Sequence, residues 1–417
     1  MTLTIIIAIV AFLVITLALV GLLLFAKAKL TTSGDVTIDI NGGEKVLIAE
    51  SGGTLLSTLA NNNVFLPSAC GGGGSCGMCK CQVLEGGGEL LPTETGFINR
   101  KMAKEHWRLG CQVKVKENLK IHVPESVLGV KKWECEVISN RNISTFLKEF
   151  VVKLPEGENL KFRSGGYIQI DIPKYDAIKF SDMNVDEKYR ADWDKFKMWD
   201  LVTTNPEDTF RAYSMANHPA EGNIIMLNIR IATPPFDRAA GAFAPVNPGI
   251  CSSFIFSRKP GDKVTISGPY GEFFLRETNN EMMFIGGGAG MAPMRSHIFN
   301  LFHTMHTDRK VTFWYGARAL QEAPYVDEFN KIQEENPNFH WTLALDRPDP
   351  VADAAGVAYK PGFVHQVIFE NYLKNHENPE DIEYYLCGPP MMIQAVTKML
   401  YDLGVPDENV MYDNFGG

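Results

Sequence analysis

The 417-residue sequence has no surplus of positive charge and few cysteines for its length. Forty Lys and Arg face 49 Asp and Glu, a formal net charge of −9, which argues against a nucleic-acid-binding surface. The eight cysteines are unevenly spaced, unlike the disulfide frameworks of short secreted chains. At 45% hydrophobic and 21% charged, the composition excludes disordered and collagen-like chains and suits two or three packed domains.

Charge is absent altogether from residues 3–26, where Ile, Val, Leu and Phe dominate. A helix over this stretch would be roughly 36 Å long, enough to cross a hydrocarbon core of about 30 Å. A cleaved signal peptide fits poorly, because no positive residue precedes the run and the run is too long. Lys27 and Lys29 follow it, so the positive-inside rule places the remaining chain in the cytoplasm. The sequence predicts a single transmembrane helix, an anchor over residues 1–30.

Cys70, Cys76 and Cys79 crowd into a glycine-rich stretch, and Cys111 follows later. Glycine lacks Cβ and tolerates positive φ, so the backbone can wrap closely around two irons. The spacing C-x5-C-x2-C…C resembles the plant-type ferredoxin pattern C-x4-C-x2-C…C, with one extra residue. These four cysteines are the predicted ligands of a [2Fe–2S] cluster. The resemblance implies a β-grasp ferredoxin of the α+β class over residues 31–128.

Two other kinds of metal centre suit these cysteines less well. A structural zinc site would prefer two separated C-x2-C pairs, and the stretch has only Cys76 and Cys79. A Rieske centre needs two His ligands, and no Cys-x-His pair occurs. Cys81 is predicted to pack as a small apolar side chain.

Strand-length runs separated by turns continue from residue 133 to residue 267 and predict an antiparallel β-barrel domain over residues 129–275. One run contains Arg211-Ala-Tyr213-Ser214, where alternation places Arg211 and Tyr213 on one face and Ser214 on the other. Alone, so short a motif is equally compatible with a surface strand. A helix start at Gly249-Ile-Cys251-Ser252 supports it, since backbone N–H groups bind phosphate there. Cys251 itself is predicted to pack rather than react.

The stretch at residues 174–208 is an insertion that a minimal barrel would not need. Its aromatic residues recur near helical spacing and are Tyr189, Trp193, Phe196 and Trp199. We favour a helix packed on its own barrel. A docking surface for a partner subunit is the alternative, because Trp and Tyr concentrate in interfaces.

The last part of the chain, residues 276–417, predicts an α/β domain with a parallel sheet. An apolar strand runs into a glycine turn and a helix, which aims N–H groups and a helix dipole at a pyrophosphate. The residues expected there are Gly286, Gly287, Gly288, Ala289, Gly290 and Pro293. Another strand ends at Cys387-Gly388-Pro389, a tight turn where binding crevices lie. Arg318 could attract the 2′-phosphate of NADPH, whereas Glu322 would repel it. The local residues therefore favour NADH and NADPH almost equally as the bound nucleotide.

Arg211-x-Tyr213-Ser214 resembles the flavin signature of the ferredoxin–NADP reductase superfamily. The resemblance implies that Arg211 binds the FAD pyrophosphate, Tyr213 flanks the isoalloxazine and Ser214 approaches its N5. It places Gly249, Cys251 and Ser252 at the same pyrophosphate. It also places Cys387 beside the nicotinamide C4, with Gly388 and Pro389 shaping the turn, and makes Phe415 a terminal aromatic that stacks on the flavin. The catalytic candidates are Cys387, Ser214 and Tyr213.

The order of these segments, and the C-x5-C-x2-C spacing, resemble the family of F subunits of the sodium-translocating NADH:quinone reductase. The resemblance implies NADH oxidation on FAD, with single electrons leaving through the [2Fe–2S] cluster to other subunits and finally quinone, coupled to sodium export. A flavin is needed because nicotinamide gives two electrons at once and the cluster takes one. The expected location is the bacterial inner (cytoplasmic) membrane, single-pass, with the soluble domains on the cytoplasmic side.

Two other functions use similar parts. The reductase component of a multicomponent oxygenase shares the three domains, but such proteins diffuse to their partners and the apolar span argues against them. A non-enzymatic, membrane-tethered iron–sulfur carrier would not need the intact flavin and nucleotide motifs.

Overall fold

The computed structural model describes residues 2–30, 34–237, 239 and 241–413. The chain forms two compact units. The first comprises Met1–Ser68 and Gly72–Gly129, and the second comprises Ala69–Gly71 and Val130–Gly417.

The chain begins with helix α1, Thr2–Leu30. Within the part of the chain that the structure describes, no helix is sufficiently long and apolar to span a membrane. The predicted single transmembrane helix over residues 1–30 is therefore contradicted on the described residues.

The first unit is built on a mixed five-stranded sheet. Its strands are β1 (Asp35–Ile40), β2 (Lys45–Glu50), β3 (Lys80–Glu85), β4 (Trp107–Leu109) and β5 (Leu119–His122), in the order β2-β1-β5-β3-β4. The β1–β5 pair is parallel and the others are antiparallel. The accompanying helices are α2 (Leu55–Asn61), α3 (Arg100–Lys104) and α4 (Glu125–Leu128). The α+β expectation for this segment is confirmed, and α2 buries Leu55, Leu56 and Leu59.

The second unit opens with an antiparallel barrel. Its six main strands are β6 (Lys131–Ser144), β7 (Leu147–Lys153), β8 (Tyr167–Ile172), β11 (Thr209–Ser214), β12 (Ile224–Arg230) and β15 (Lys263–Tyr270), in the order β11-β8-β15-β6-β7-β12. A bridge from Met215 to Leu227 joins the two end strands, so the sheet closes on itself. Helix α6 (Ile250–Ser257) packs into the barrel core with Phe254 and Ile255.

The insertion carries the hairpin of β9 (Tyr175–Lys179) and β10 (Val202–Asn205), and helix α5 (Glu187–Lys195). Tyr189 and Trp193 are 2% and 0% exposed and belong to the barrel's own core. Trp193 Nε1 donates to Thr145 O at 2.9 Å. The interpretation of this stripe as a helix packed on its own barrel is therefore confirmed. A further small hairpin pairs β13 (Phe236–Asp237) with β14 (Ala242–Phe243).

The last part of the chain is a parallel sheet covered on both faces by helices. Its strands are β16 (Met282–Gly287), β17 (Val311–Ala317), β18 (Phe339–Leu345), β19 (Lys360–Pro361), β20 (Glu383–Cys387) and β21 (Val410–Tyr412), in the order β19-β18-β17-β16-β20-β21. The helices are α7 (Met291–Phe299), α8 (Val326–Glu335), α9 (Pro350–Ala355), α10 (Val364–Asn371) and α11 (Pro390–Asp402). Side chains of α7, α8 and α9 pack on one face, and those of α10 and α11 on the other. The strand order reverses between β16 and β20, where open α/β sheets bind ligands.

Candidate functional site

The cysteine loop of the first unit brings thiols together. Cys79 directly precedes β3, and Gly110 N donates to Cys79 O at 2.8 Å, which places the segment leading to Cys111 alongside it. Cys79 and Cys111 are 1% and 5% exposed. Their mutual hydrogen bond, the burial of Cys79 and the nearby Cys76 raise the pKa of Cys79 above its usual value. Cys70 lies in the short segment Ala69–Gly71, which groups with the second unit.

The backbone around these thiols fits a cluster cradle. Gly74 and Gly77 have φ of 77° and 67°, where side chains are strained. A Cβ on Gly77 would lie 2.3 Å from Phe97 Cδ1, and one on Gly74 would lie 2.8 Å from Gln112 Nε2. Among the described residues, no group of three or more His, Cys, Asp or Glu is arranged to hold a metal ion. The soft thiol donors and the glycine backbone nevertheless suit an iron–sulfur group.

Cys81 lies apart from this role. It is 0% exposed on β3, and burial raises its pKa to about 12, which keeps the thiol protonated. The full burial of Cys81 agrees with its predicted apolar packing. The sequence reasoning missed a buried ion pair beside it, in which Arg108 Nη2 donates to Glu94 Oε2 at 2.8 Å. Glu94 also accepts from Leu109 N, two residues before Cys111.

Strand β11 presents its flavin-motif residues alternately, as predicted. Ala212 and Ser214 are buried, whereas Arg211 and Tyr213 are only partly buried on the other face. Burial, with Cys251 nearby, raises the pKa of Tyr213, and Arg211 opposes that shift. Burial raises the pKa of Cys251 to about 11, so its thiol stays protonated and packs, as expected. The structure therefore brings Arg211, Tyr213 and Cys251 together.

The start of α6 is fixed to the barrel by its own side chains. Ser252 Oγ accepts from Ala232 N at 3.0 Å and donates to Gly249 O at 3.2 Å. A Cβ on Gly249 would lie 2.5 Å from Ala232 Cβ, so only glycine allows this approach. The first N–H groups of a helix have no intrahelical partner and can receive an anion.

The glycine turn (Gly288–Gly290) lies beside the Cys387 turn, because β16 and β20 are neighbours and Gly286 pairs with Cys387. A Cβ on Gly290 would lie 2.0 Å from Cys387 O. No described atom comes within 4 Å of the Cβ position of Gly288, which leaves that side of the turn open. Ala289 lies in the same turn, and Pro293 lies in the first turn of α7, where a missing N–H costs nothing. Gly287, Gly388 and Pro389 complete this edge of the sheet, since a Cβ on Gly287 would meet Pro389 Cδ at 3.4 Å.

One residue of this edge was missed by the sequence reasoning. Ser214 Oγ donates to Asp413 Oδ2 at 2.7 Å. Burial raises the pKa of Asp413 to about 7. Burial, with a smaller contribution from the charge of Asp413, raises the pKa of Cys387 well above its usual value. Asp413 therefore connects the barrel's Ser214 with Cys387 of the sheet. Phe415 lies outside the described residues.

Three family models match the chain. Residues 38–116 match the 2Fe-2S iron-sulfur cluster binding domain, residues 196–275 the oxidoreductase FAD-binding domain and residues 284–398 the oxidoreductase NAD-binding domain. The F subunit of the Na(+)-translocating NADH-quinone reductase of Pseudomonas aeruginosa (strain UCBPP-PA14) is 56% identical over 406 residues, 97% of both chains. The corresponding F subunit of Methylococcus capsulatus (strain Bath) is 56% identical over 415 residues, 100% of both chains.

The chain belongs to the family of F subunits of the Na(+)-translocating NADH-quinone reductase. This member of the family has domains for FAD, NAD and a 2Fe-2S cluster, so the predicted cofactors are confirmed. The Amycolatopsis cytochrome P450 reductase matches with a TM-score of 0.61 and 21% identity, over 91% of this chain and 98% of that one. A ferredoxin reductase in carbazole 1,9a-dioxygenase matches at 0.57 and 24%, over 92% and 98%. These likenesses establish a ferredoxin-reductase-like multidomain fold.

Proposed function

We propose that this protein is the electron-input subunit of a sodium-translocating NADH:quinone reductase, oxidising NADH and delivering single electrons to partner subunits. The observation that carries the proposal is 56% identity with an F-subunit relative over the whole chain. The two solved structures named above share the fold at 24% identity or less, so an oxygenase-reductase function has weaker support.

The proposed division assigns residues 31–128 to the cluster domain, 129–275 to the FAD domain and 276–417 to the NAD domain. The family matches fall inside these ranges, which supports it. Bound FAD accepts a hydride and can give up its two electrons singly, and a [2Fe–2S] cluster carries one electron at a time.

At the flavin end, we assign Arg211, Gly249 and Ser252 to holding the pyrophosphate, and Tyr213 to the isoalloxazine ring. Arg211 Nη1 donates to Phe210 O and Thr209 Oγ1 at 2.8 and 3.1 Å, so its guanidinium is held next to β11. Helix α6 contributes its N-terminal N–H groups to the same pyrophosphate, beside the positive charge of Arg211.

At the nicotinamide end, the glycine turn receives the NADH pyrophosphate, and Cys387 lines the ring's C4 position. At this edge, Ser214 Oγ donates a hydrogen bond to Asp413 Oδ2. When the nicotinamide loses hydride it becomes cationic, and an ionised Asp413 stabilises that charge. Little water reaches this edge, because Cys387 and Ser214 are each only 6% exposed.

We assign Cys70, Cys76, Cys79 and Cys111 as the cluster ligands. We further propose that the protein works at the bacterial cytoplasmic membrane with other subunits of the complex, its NADH-binding domains facing the cytoplasm. The names of the relatives support this assembly.

An anaerobic NADH titration of the purified protein, followed by absorbance and EPR, tests the proposal. We expect flavin bleaching on NADH addition, and a [2Fe–2S] EPR signal as the cluster takes an electron. NADPH, which differs only by its 2′-phosphate, serves as the matched donor and should react more slowly. Protein that stays colourless after iron, sulfide and FAD reconstitution would refute it.

A further inference from the structure

The barrel and the parallel sheet, which lie in one unit, are joined by buried polar contacts that the proposed chemistry does not use. Directly after β11, the chain is held by α7 of the sheet. Arg295 Nη1 donates to Ala216 O at 3.0 Å, and Ser296 Oγ donates to Asn217 O at 2.8 Å. Helix α7 begins immediately after the glycine turn. Two consecutive side chains therefore link the strand end that bears Ser214 to that turn.

Arg295 is the centre of this link. It is 5% exposed, and its two Nη atoms donate to both carboxylate oxygens of Glu221 at 2.9 and 3.0 Å. Nη2 also donates to Glu328 Oε2 on α8 at 3.2 Å. Glu221 belongs to the barrel loop and Glu328 to the sheet side, so one planar guanidinium ties the two together. A lysine would keep the positive charge but could not donate hydrogen bonds to both carboxylate oxygens in this bidentate geometry.

Tyr325 makes a second, independent link. It directly precedes α8 and reaches the barrel, where its Oη donates to Glu149 Oε2 at 2.8 Å and accepts from Asn228 Nδ2 at 2.7 Å. Glu149 and Asn228 are 5% and 4% exposed. Tyr325 has φ of 62°, a strained value for a bulky residue. Such strain persists only where surrounding contacts enforce it, and it concentrates at functional sites.

We propose that Arg295 and Tyr325 are positioning residues that hold the sheet on the barrel at the separation that hydride transfer needs. Arg295 Cζ lies 5.2 Å from the centre of the Tyr325 ring, so the two links form one cluster. The inference rests on the proposed NADH–FAD function. Reacting atoms must approach to about 3–3.5 Å, and a displacement of about 1 Å can cost roughly 100-fold in rate.

Tyr325→Phe tests the proposal, because it removes one hydroxyl and keeps the ring. The matched control is Tyr384→Phe, which removes another hydroxyl bond, to Pro379 O, inside the sheet domain. Both variants are compared with wild type by anaerobic stopped-flow reduction of the bound flavin, using NADH and NADH deuterated at C4. We expect Tyr325→Phe to lower the saturating rate about tenfold, with the apparent NADH Kd within about twofold and a larger isotope effect. Tyr384→Phe should keep the wild-type rate.

Arg295→Lys and Arg295→Met form the second arm. The lysine should recover part of the rate that the methionine loses. Hydrogen–deuterium exchange adds a readout besides activity, and in Arg295→Met residues 215–221 should exchange faster while strands β1–β5 stay protected.

Three results would overturn the positioning role: an unchanged rate in Tyr325→Phe, equal rate losses in Tyr325→Phe and Tyr384→Phe, or unchanged exchange in Arg295→Met. If wild-type protein is not reduced by NADH, the proposed function itself fails. The exchange arm still tests the link in that case.

Discussion

Ser214 and Asp413 are separated by 199 positions in the sequence, yet Ser214 Oγ donates to Asp413 Oδ2 at 2.7 Å. The pairing depends on β21, which runs parallel to β20 and is followed directly by Asp413. Asp413 N also donates to Leu386 O at 3.0 Å, which fixes the residue next to Cys387. A partly buried carboxyl whose pKa is about 7 therefore lies where the barrel and the sheet present their catalytic candidates.

The first prediction is a pH dependence of flavin reduction by NADH. Because an ionised Asp413 stabilises the cationic nicotinamide, the saturating rate should rise as the pH passes through about 7. Asp413→Asn should give a rate roughly tenfold below the wild-type plateau, without that inflection.

Ser214→Ala removes the hydrogen bond that lowers the pKa of Asp413, so the inflection of this variant should move to higher pH. Stopped-flow rates from about pH 5.5 to about pH 9, a range that brackets the inflection, check this. An inflection retained in Asp413→Asn would assign it to another group.

The second prediction concerns stability. Burial raises the pKa of folded Asp413 from 3.8 to about 7, so the folded state keeps a proton that the unfolded state has released. The free energy of unfolding should therefore fall as the pH rises from about 4 to 7, by at most about 1.4 kcal/mol per unit from this group. Asp413→Asn should grow more stable relative to wild type across that range, up to about 4 kcal/mol. Urea unfolding at several pH values measures the difference, and a constant difference would contradict the assignment.

The third prediction compares two effects of replacing a glycine near the cysteines. One is a steric clash of the new Cβ with a neighbouring side chain, and the other is the strain of a positive φ. Gly77 and Gly88 have nearly equal φ, 67° and 65°, but only Gly77 has a side chain, Phe97, at its Cβ position. Gly88→Ala should cost about 1–2 kcal/mol through strain alone and keep the cluster. Gly77→Ala should lose most of the bound iron, because the loop must move to relieve the contact. Iron per protein and the EPR signal of each variant distinguish them, and equal iron contents would refute the argument.

The fourth prediction assigns the thiols. Cys79→Ser and Cys111→Ser should each abolish the native [2Fe–2S] EPR signal, because the two thiols are hydrogen-bonded to each other and both are assigned as ligands. Cys81→Ala, two residues along the chain and equally buried, is the control and should retain iron. Flavin reduction by NADH should persist in all three variants, since the flavin and nucleotide residues lie in the other unit. Iron lost from Cys81→Ala but kept in Cys79→Ser would reverse the assignment.

Local patterns in the sequence predicted more than long-range ones. The glycine turn and the Cys387 turn could be placed together because parallel strands end at one edge, and β16 and β20 do so. Asp413 could not, since its role depends on a three-residue strand, β21, with little periodicity of its own. The roles of Tyr325 and Arg295 were also missed. Their contacts join residues far apart in the chain, and such contacts leave no regular spacing in the sequence. The hydropathy of residues 3–26 predicted a helix correctly, but the transmembrane assignment was contradicted.

The fifth prediction follows from the core position of the insertion. Trp193 is fully buried, and its ring lies 6.5 Å from that of Phe256 on α6. Trp193→Ala should lower the free energy of unfolding of the second unit by about 3–5 kcal/mol, whereas Trp193→Phe retains most of the volume and should lose less. Because α6 starts at the assigned pyrophosphate site, Trp193→Ala and a deletion of residues 180–200 should both release flavin. Denaturant titration and flavin-to-protein ratios measure these effects. A deletion variant that kept its flavin and NADH oxidation, but no longer bound partner subunits, would instead make this insertion a docking element.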